Sequence, residues 1–367
     1  VGDVKLKLKP PQASERLETL DALRGLAALA VVFSHALHIM PQIGNHGWAG
    51  PENPVSWVVK YTPVLTLVDG HAAVMVFFVL SGLVLGRQLL GPRPPGYGIF
   101  VAKRVARLYP PYAAAVLLAA ILQALCGGHL PHGPSAWLTQ SWTDPLTWRV
   151  VASYALMLGQ TIAVDNPVWS LDYEMRLSVL LPLLLIPAQR IGQRATLAVV
   201  VVMMFGGDHI QHATTQPAIV LAARMALYAG MFLLGTLLAG QVTRLRRLPP
   251  GWPAIALGLL AWAIMWVDRY DAAQAIGAAL LIAAVLAPGP LANFCHRGVP
   301  RFLGRISFSL YLIHVPLVLA LLSLTAGWLP QDALIVALPP LAIGLGWVFY
   351  RLVESPSHGW ARQIGRR

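Results

Sequence analysis

The sequence predicts an all-α polytopic membrane protein, and three observations predict it. Apolar residues make up 57% of the 367-residue chain and charged residues only 11%, against roughly 25% charged in soluble domains. The apolar residues fall in runs near the roughly 20 residues that a helix needs to cross a bilayer. The basic residues, which give a net charge of +12, collect in short clusters between those runs. Such clusters mark cytoplasmic loops better than they mark a nucleic-acid-binding face.

In chain order, residues 1–19 are a polar, basic cytoplasmic tail. The first span follows at about 20–40. Residues 41–68 form an outer loop with Pro, Gly and Trp, and the second span, 69–90, contains HAAVMVFFVLSGLVLG. Gly82 and Gly86 lie four apart, a spacing that lets helices approach closely. A basic cytoplasmic segment, 87–107, leads into a third span that ends near 126, and a polar outer loop comes next. VVASYALMLGQTIAV is too short to cross, so 150–164 is expected as a re-entrant or outer-leaflet helix. Such backbone is tolerated where protein or a water-filled cavity surrounds it. Asp165-Asn166-Pro167 is a helix-start signal with Asn as cap, and it opens the fourth span, 167–187. Later spans at 194–206, 218–240, 252–268, 272–287, 305–326 and 332–352 bring the count to ten, with both termini cytoplasmic.

Residues 20–356 thus form one transmembrane domain, and 357–367 a basic cytoplasmic tail. All but five of the 27 Lys and Arg fall on the cytoplasmic side in this topology, the exceptions being Lys60, Arg149, Arg176, Arg224 and Arg269. No internal repeat of the inverted-repeat transporter kind is evident, nor is a secretory signal peptide. Cys126 and Cys295, the two cysteines, are placed on opposite sides, so neither a disulfide nor a cysteine-based metal site is expected.

Several residues stand out because ionisable groups at membrane depth are costly. Arg24 and His35 share a face of the first span, eleven residues or roughly 16 Å apart along a helix. Arg24 then sits at one membrane surface and His35 in the interior, with His38 on the same face. Arg104 and Arg107, three apart at the cytoplasmic mouth of the third span, suit phosphate oxygens. With Arg24 they make a seat for an anionic cytoplasmic ligand. Asp172, Glu174 and Arg176 open the fourth span beside Trp169 and Tyr173, with Ser170, Glu174 and Ser178 on one face. Arg176 is a ready partner for Asp172. His314 lies near mid-membrane in the ninth span, where it either packs, holds the His35 ring or touches substrate. Glu354 beside Arg351 is expected to anchor the end of the last span through a local ion pair, and Ser81 to pack. His46, His129, His132, His209 and His212 show no metal-ligand spacing, and no metal is expected. Nucleophile-elbow, Walker, GxGxxG and HExxH patterns are all lacking.

These motifs together resemble the acyltransferase-3 family of integral-membrane acyltransferases. They are LDALRGLAALAVVFSH with Arg24 and His35, FFVLSGLVL, RVARLYP with Arg104 and Arg107, NPVWSLDYEMRLSVLLPLL with Glu174, ISFSLYLIH with His314, and VESP with Glu354. They occur in family order over residues 20–356. The chain departs from the family pattern at Arg176-Leu177-Ser178, where an aromatic pair is common, and at Leu83. The resemblance implies a ten-helix fold that transfers an acyl group, by family habit acetyl, from cytoplasmic acyl-CoA to a hydroxyl of a glycan or similar acceptor. Some members carry a fused extracytoplasmic domain; this chain is expected to act alone or with a separate extracytoplasmic partner.

On that reading Arg24, Arg104 and Arg107 hold the CoA phosphates, and His35 is the general base, with an imidazole suited to the task near neutral pH. Glu174 orients or charge-balances His35 or contacts the sugar, Trp169 is placed to stack on a sugar ring, and Ser170, Asp172 and His314 face the acceptor with it. A covalent acyl-histidine is an open variant. The expected site of action is the bacterial inner membrane. The competing readings are a proton-coupled transporter or flippase of a glycan or lipid-linked sugar, and a passive scaffold.

Overall fold

The structure, a computed structural model, describes residues 18–45, 53–126, 135–142, 145–158, 164–325 and 328–365. The expected cytoplasmic tail through residue 17, His46, His129, His132 and part of the expected re-entrant helix, 159–163, lie outside the described residues. Helices dominate throughout. Those used below are α1 (Glu18–Leu37), α2 (Gly70–Leu89), α3 (Tyr97–Cys126), α4 (Ala136–Thr139), α5 (Trp148–Ala155), α6 (Trp169–Ile191) and α7 (Gln193–Val201). They continue with α8 (Gly207–Ala213), α9 (Pro217–Ala239), α10 (Trp252–Val267), α11 (Asp271–Leu286), α12 (Gly298–Leu324), α13 (Gln331–Phe349) and α14 (Ser355–Gln363).

Among the described residues, six helical segments are long and apolar enough to cross a membrane: α1, α2, α3, α9, α12, and the stretch Asp332–Gln363 that joins α13 to α14. Two shorter apolar helices, α10 and α11, accompany them. The chain is therefore an all-α polytopic membrane protein. Helix α5, in the described part of the expected 150–164 segment, is only eight residues long, too short to cross.

Two expected element boundaries differ. The short span at 194–206 does not end at Gly206. Helix α7 runs through a π-helical turn, Val202–Gly206, straight into α8. Gly207 permits this, because a Cβ there would stand 2.6 Å from the Ala223 carbonyl oxygen and 2.9 Å from the Leu227 nitrogen. The helix expected as the fourth span begins at Trp169 after a 3-10 turn, Asn166–Val168, and Asp165 rather than Asn166 takes the cap position, with no side-chain cap bond. Pro167 sets that turn, since its ring fixes φ and needs no helical donor.

The chain divides into two compact units. The first comprises 1–24, 71–101 and 173–304; the second comprises 25–70, 102–172 and 305–367. In the first unit α2 and α9 meet through small residues. A Cβ on Gly82 would fall 2.1 Å from the Phe232 carbonyl oxygen, and Thr236 Oγ1 donates to the Gly82 carbonyl at 3.1 Å. The Gly82/Gly86 spacing thus brings backbones into contact, as small-residue interfaces do in membranes. In the second unit an apolar cluster joins the end of α1 (Ala36, Ile39), the loop residues Leu138 and Trp142, and α12 (Val315, Val318, Leu319). Both cysteines are buried and free.

Candidate active site

The second unit gathers three histidines. His35 and His38 lie in or just beyond the last turn of α1, and His314 is fully buried on α12. Each ring folds back on its own helix. His38 Nδ1 donates to the Ser34 carbonyl at 2.6 Å. His314 Nδ1 faces the carbonyl oxygens of Tyr311 at 2.8 Å and Leu310 at 3.2 Å. His35 Nδ1 faces the Val31 carbonyl at 3.1 Å and His314 Nε2 at 3.0 Å.

These contacts assign the hydrogens. A carbonyl oxygen only accepts, so His314 Nδ1 carries a hydrogen. His35 Nδ1 faces a second carbonyl, so it too carries the hydrogen and donates it to His314 Nε2. A neutral His35 then presents Nε2 as a bare acceptor. When that atom takes a proton, the Nδ1–H donation to His314 and Val31 becomes charge-assisted and strengthens. With both of its ring nitrogens occupied, His314 is placed to hold the His35 ring rather than to touch substrate. Trp137 completes the group, its ring centroid 5.6 Å from that of His35 and 6.1 Å from that of His38.

His314 is itself braced. Tyr311, one turn back on α12, donates from its hydroxyl to the Pro167 carbonyl at 2.8 Å and receives Ser170 Oγ at 2.7 Å. Ser170, expected at the acceptor, also stands 3.3 Å from the Pro167 carbonyl. Asp172 is buried, and Trp169 half-buried at the start of α6. Asp165 is fully buried, and neither carboxylate oxygen has a hydrogen-bond partner among the described residues. Burial pushes its carboxyl well above the usual range.

Arg104 (half-buried) and Arg107 (exposed) occupy one turn of α3 in the same unit. Ser357 of α14 donates to the carbonyl oxygens of Ala106 at 2.7 Å and Arg107 at 3.3 Å, tying the last helix to that turn. Glu354 is anchored by the Ser309 nitrogen at 3.1 Å and Ser309 Oγ at 2.5 Å, with His358 Nε2 at 3.6 Å, while Arg351 lies over the Trp347 ring at 5.8 Å. The ion pair expected between Glu354 and Arg351 is thus replaced by hydrogen bonds from Ser309, as a buried carboxylate needs close donors.

Arg24 and Glu174 belong to the first unit. Arg24 Nη1 stands 3.9 Å from Asp21 Oδ1. Glu174 Oε1 accepts from Ser81 Oγ at 3.0 Å, so Ser81 is a hydrogen-bond partner of a candidate site residue and not simply a packing residue. Arg176 lies over the Tyr173 ring at 5.7 Å.

The acyltransferase domain family, Acyl_transf_3, matches residues 17–351. The chain belongs to the acyltransferase-3 family. It is 27% identical to acyltransferase MdmB of Streptomyces mycarofaciens over 401 aligned residues, spanning 98% of this chain and 95% of that protein. It is 32% identical to the product named protein 2 in picA locus of Rhizobium radiobacter over 176 residues, spanning 44% of this chain and 78% of that protein. No solved structure matches the chain. This acyltransferase-3 protein is a multi-pass membrane enzyme of acyl transfer, and its family implies an acyl-CoA-like co-substrate. Membership assigns it bond chemistry, against the carrier and scaffold readings. Among the described residues no group of three or more His, Cys, Asp or Glu is arranged to hold a metal ion.

Proposed function

We propose that this enzyme transfers an acyl group, acetyl by family habit, from acyl-CoA at the cytoplasmic face to a hydroxyl of a glycan or similar acceptor, in a bacterial inner membrane with both chain termini cytoplasmic. The observation that carries this reading is the His35–His314 hydrogen bond of 3.0 Å, which leaves His35 Nε2 as the one ring nitrogen of that pair able to take a proton.

Arg104 and Arg107 grip the donor's phosphates with paired hydrogen bonds. Arg24, about 16 Å from His35 along α1 by helix rise, adds a third guanidinium. His35 Nε2 takes the acceptor hydroxyl's proton as that oxygen bonds to the acyl carbon. The carbon–sulfur bond breaks, and the proton on His35 passes to the departing thiolate, so ester and free CoA leave and the imidazole is restored. Glu174 orients or charge-balances His35 or contacts the sugar, and Trp169, Ser170 and Asp172 border the acceptor.

The test is thiol release from acetyl-CoA by the purified full chain in detergent, offered a panel of glycans. Acceptor-dependent release is expected. Arg104→Ala with Arg107→Ala should weaken acetyl-CoA binding about 10- to 100-fold, with the loss smaller at high salt. A wild type that binds no acetyl-CoA, or a double variant that binds it equally well, removes the arginine seat. Brief exposure to radiolabelled acetyl-CoA without acceptor should leave no label on the protein, and label on His35 would replace direct transfer by a covalent route.

A further inference from the structure

We infer that Trp137 is the platform on which the acceptor lies, and that the acceptor presents a pyranose ring. The inference rests on the O-acyltransferase reading above and adds to it the residue and the substrate class.

Trp137 sits on α4, a four-residue helix in the loop that follows α3. Four contacts brace the loop. Ser135 Oγ accepts from the Leu138 nitrogen at 3.3 Å, and Asn45 Oδ1 accepts from the Ala136 nitrogen at 2.7 Å. Ser141 Oγ donates to the Trp137 carbonyl at 2.8 Å, and Ser323 Oγ donates to the carbonyl of Cys126, the last residue of α3, at 2.7 Å. Leu138 and Trp142, 3% and 6% exposed, anchor the loop in the apolar cluster, and Trp137 packs partly against that cluster. Trp137 nonetheless stays half-buried, and its ring meets His35 and His38, which are half-buried too. The indole thus adjoins the two partly open imidazoles with part of its own surface uncovered.

The location selects the acceptor over the donor. Arg107 and Cys126 lie 19 residues apart on α3, about 28 Å by helix rise. The loop bearing Trp137 therefore leaves that helix at the end opposite the arginine turn. A donor held by Arg104 and Arg107 and a molecule lying on Trp137 approach His35 from opposite ends of α3. The chemistry then selects the molecule. An indole offers a broad, electron-rich face that attracts weakly positive C–H groups. A pyranose ring has a face of axial C–H bonds and a rim of hydroxyls, so it stacks by its face and offers a rim hydroxyl to the bare Nε2 of His35. An open-chain polyol carries the same hydroxyls but no such face.

The purified full chain in a sugar-free detergent decides this, with acetyl-CoA as donor. The acceptors are the methyl pyranosides of glucose, galactose and mannose, set against sorbitol. Wild type is expected to acylate at least one pyranoside in preference to sorbitol. Trp137→Leu should raise the pyranoside KM about tenfold, the size of one lost stacking contact, with the KM for acetyl-CoA unchanged. Trp137→Phe, which keeps a smaller face, should raise it only a few-fold, and it decides the matter if the leucine variant does not fold. A wild type that uses no pyranoside or prefers sorbitol, or an unchanged pyranoside KM in the variants, overturns the inference. So does a rise in the acetyl-CoA KM instead, which would give the indole to the donor. If acetyl-CoA still binds through Arg104 and Arg107 while no pyranoside reacts, this inference falls alone. If the wild type neither binds nor consumes acetyl-CoA, the O-acyltransferase reading falls with it.

Discussion

Each compact unit holds a histidine contact that joins two helices, and the two differ in what faces the ring. In the second unit His35 faces another imidazole, His314, at 3.0 Å, and both rings are pinned by backbone carbonyls. In the first unit His71 Nε2 faces Asp271 Oδ1 at 2.6 Å, and the His71 side chain is 51% exposed. The neighbouring Asp208 accepts from the Ala272 nitrogen at 2.9 Å and from Gln211 Nε2 at 2.8 Å. Either partner, carboxylate or imidazole, fixes which nitrogen of the facing ring carries the hydrogen and leaves the other able to accept a proton. The two pairs differ in setting: His71 is half-exposed at the start of α2, whereas His35 is held by a fully buried His314 and flanked by the rings of His38 and Trp137. We assign the first pair to fastening helix ends and the second to proton transfer.

This contrast can be broken by substitution. His35→Ala should lower kcat by about 10²–10⁴-fold, the range for loss of a general base, while acetyl-CoA binding and melting temperature hold. Next, His314→Leu should lower kcat roughly 10–100-fold with the acetyl-CoA KM unchanged, because the His35 ring loses its acceptor. His314→Gln, whose amide oxygen still accepts from His35 Nδ1, should recover part of that loss. Equal loss in both variants would make His314 a packing residue. In the first unit, His71→Ala should leave kcat intact and lower the melting temperature, at a cost on the order of 1–2 kcal/mol for a half-exposed pair. A fall in kcat there would erase the distinction between the pairs.

The smallest effect belongs to Asp165. Its folded-state pKa lies above the unfolded value of 3.8, so the folded protein binds the proton more tightly. Below 3.8 the group is neutral in both states and costs nothing. As pH rises from there toward the folded pKa, the unfolded chain ionises first and stability falls. Asp165→Asn should flatten that decline and raise the melting temperature at neutral pH; an unchanged pH profile would mean that the carboxyl is solvated.

Much of the site was legible because membrane burial makes ionisable residues conspicuous. His35, His314, Arg104, Arg107 and Glu174 are each rare residue types inside or beside apolar runs, and periodicity alone placed Arg104 and Arg107 on one helix face. Their partners were not legible. Ser81, Ser309, Ser357 and Tyr311 are ordinary membrane-helix residues, and each acts through a contact 45 or more residues away in sequence. Trp137 looked like one of several tryptophans in a polar loop, since nothing local says that the loop folds back on His35. The helix from 193 to 213 was cut short because Gly206-Gly207-Asp208 has the composition of a turn. Its continuation depends on the close approach of α9 to Gly207, a tertiary fact.

Proton transfer in this enzyme turns on which nitrogen of His35 is bare. Solid-state nitrogen NMR of ¹⁵N-histidine-labelled protein in lipid, with His35 assigned by difference from His35→Asn, reads this directly. The expected result is a hydrogen-bearing Nδ1 coupled to His314 and a hydrogen-free Nε2. A His35 with its hydrogen on Nε2, or without coupling to His314, would contradict it.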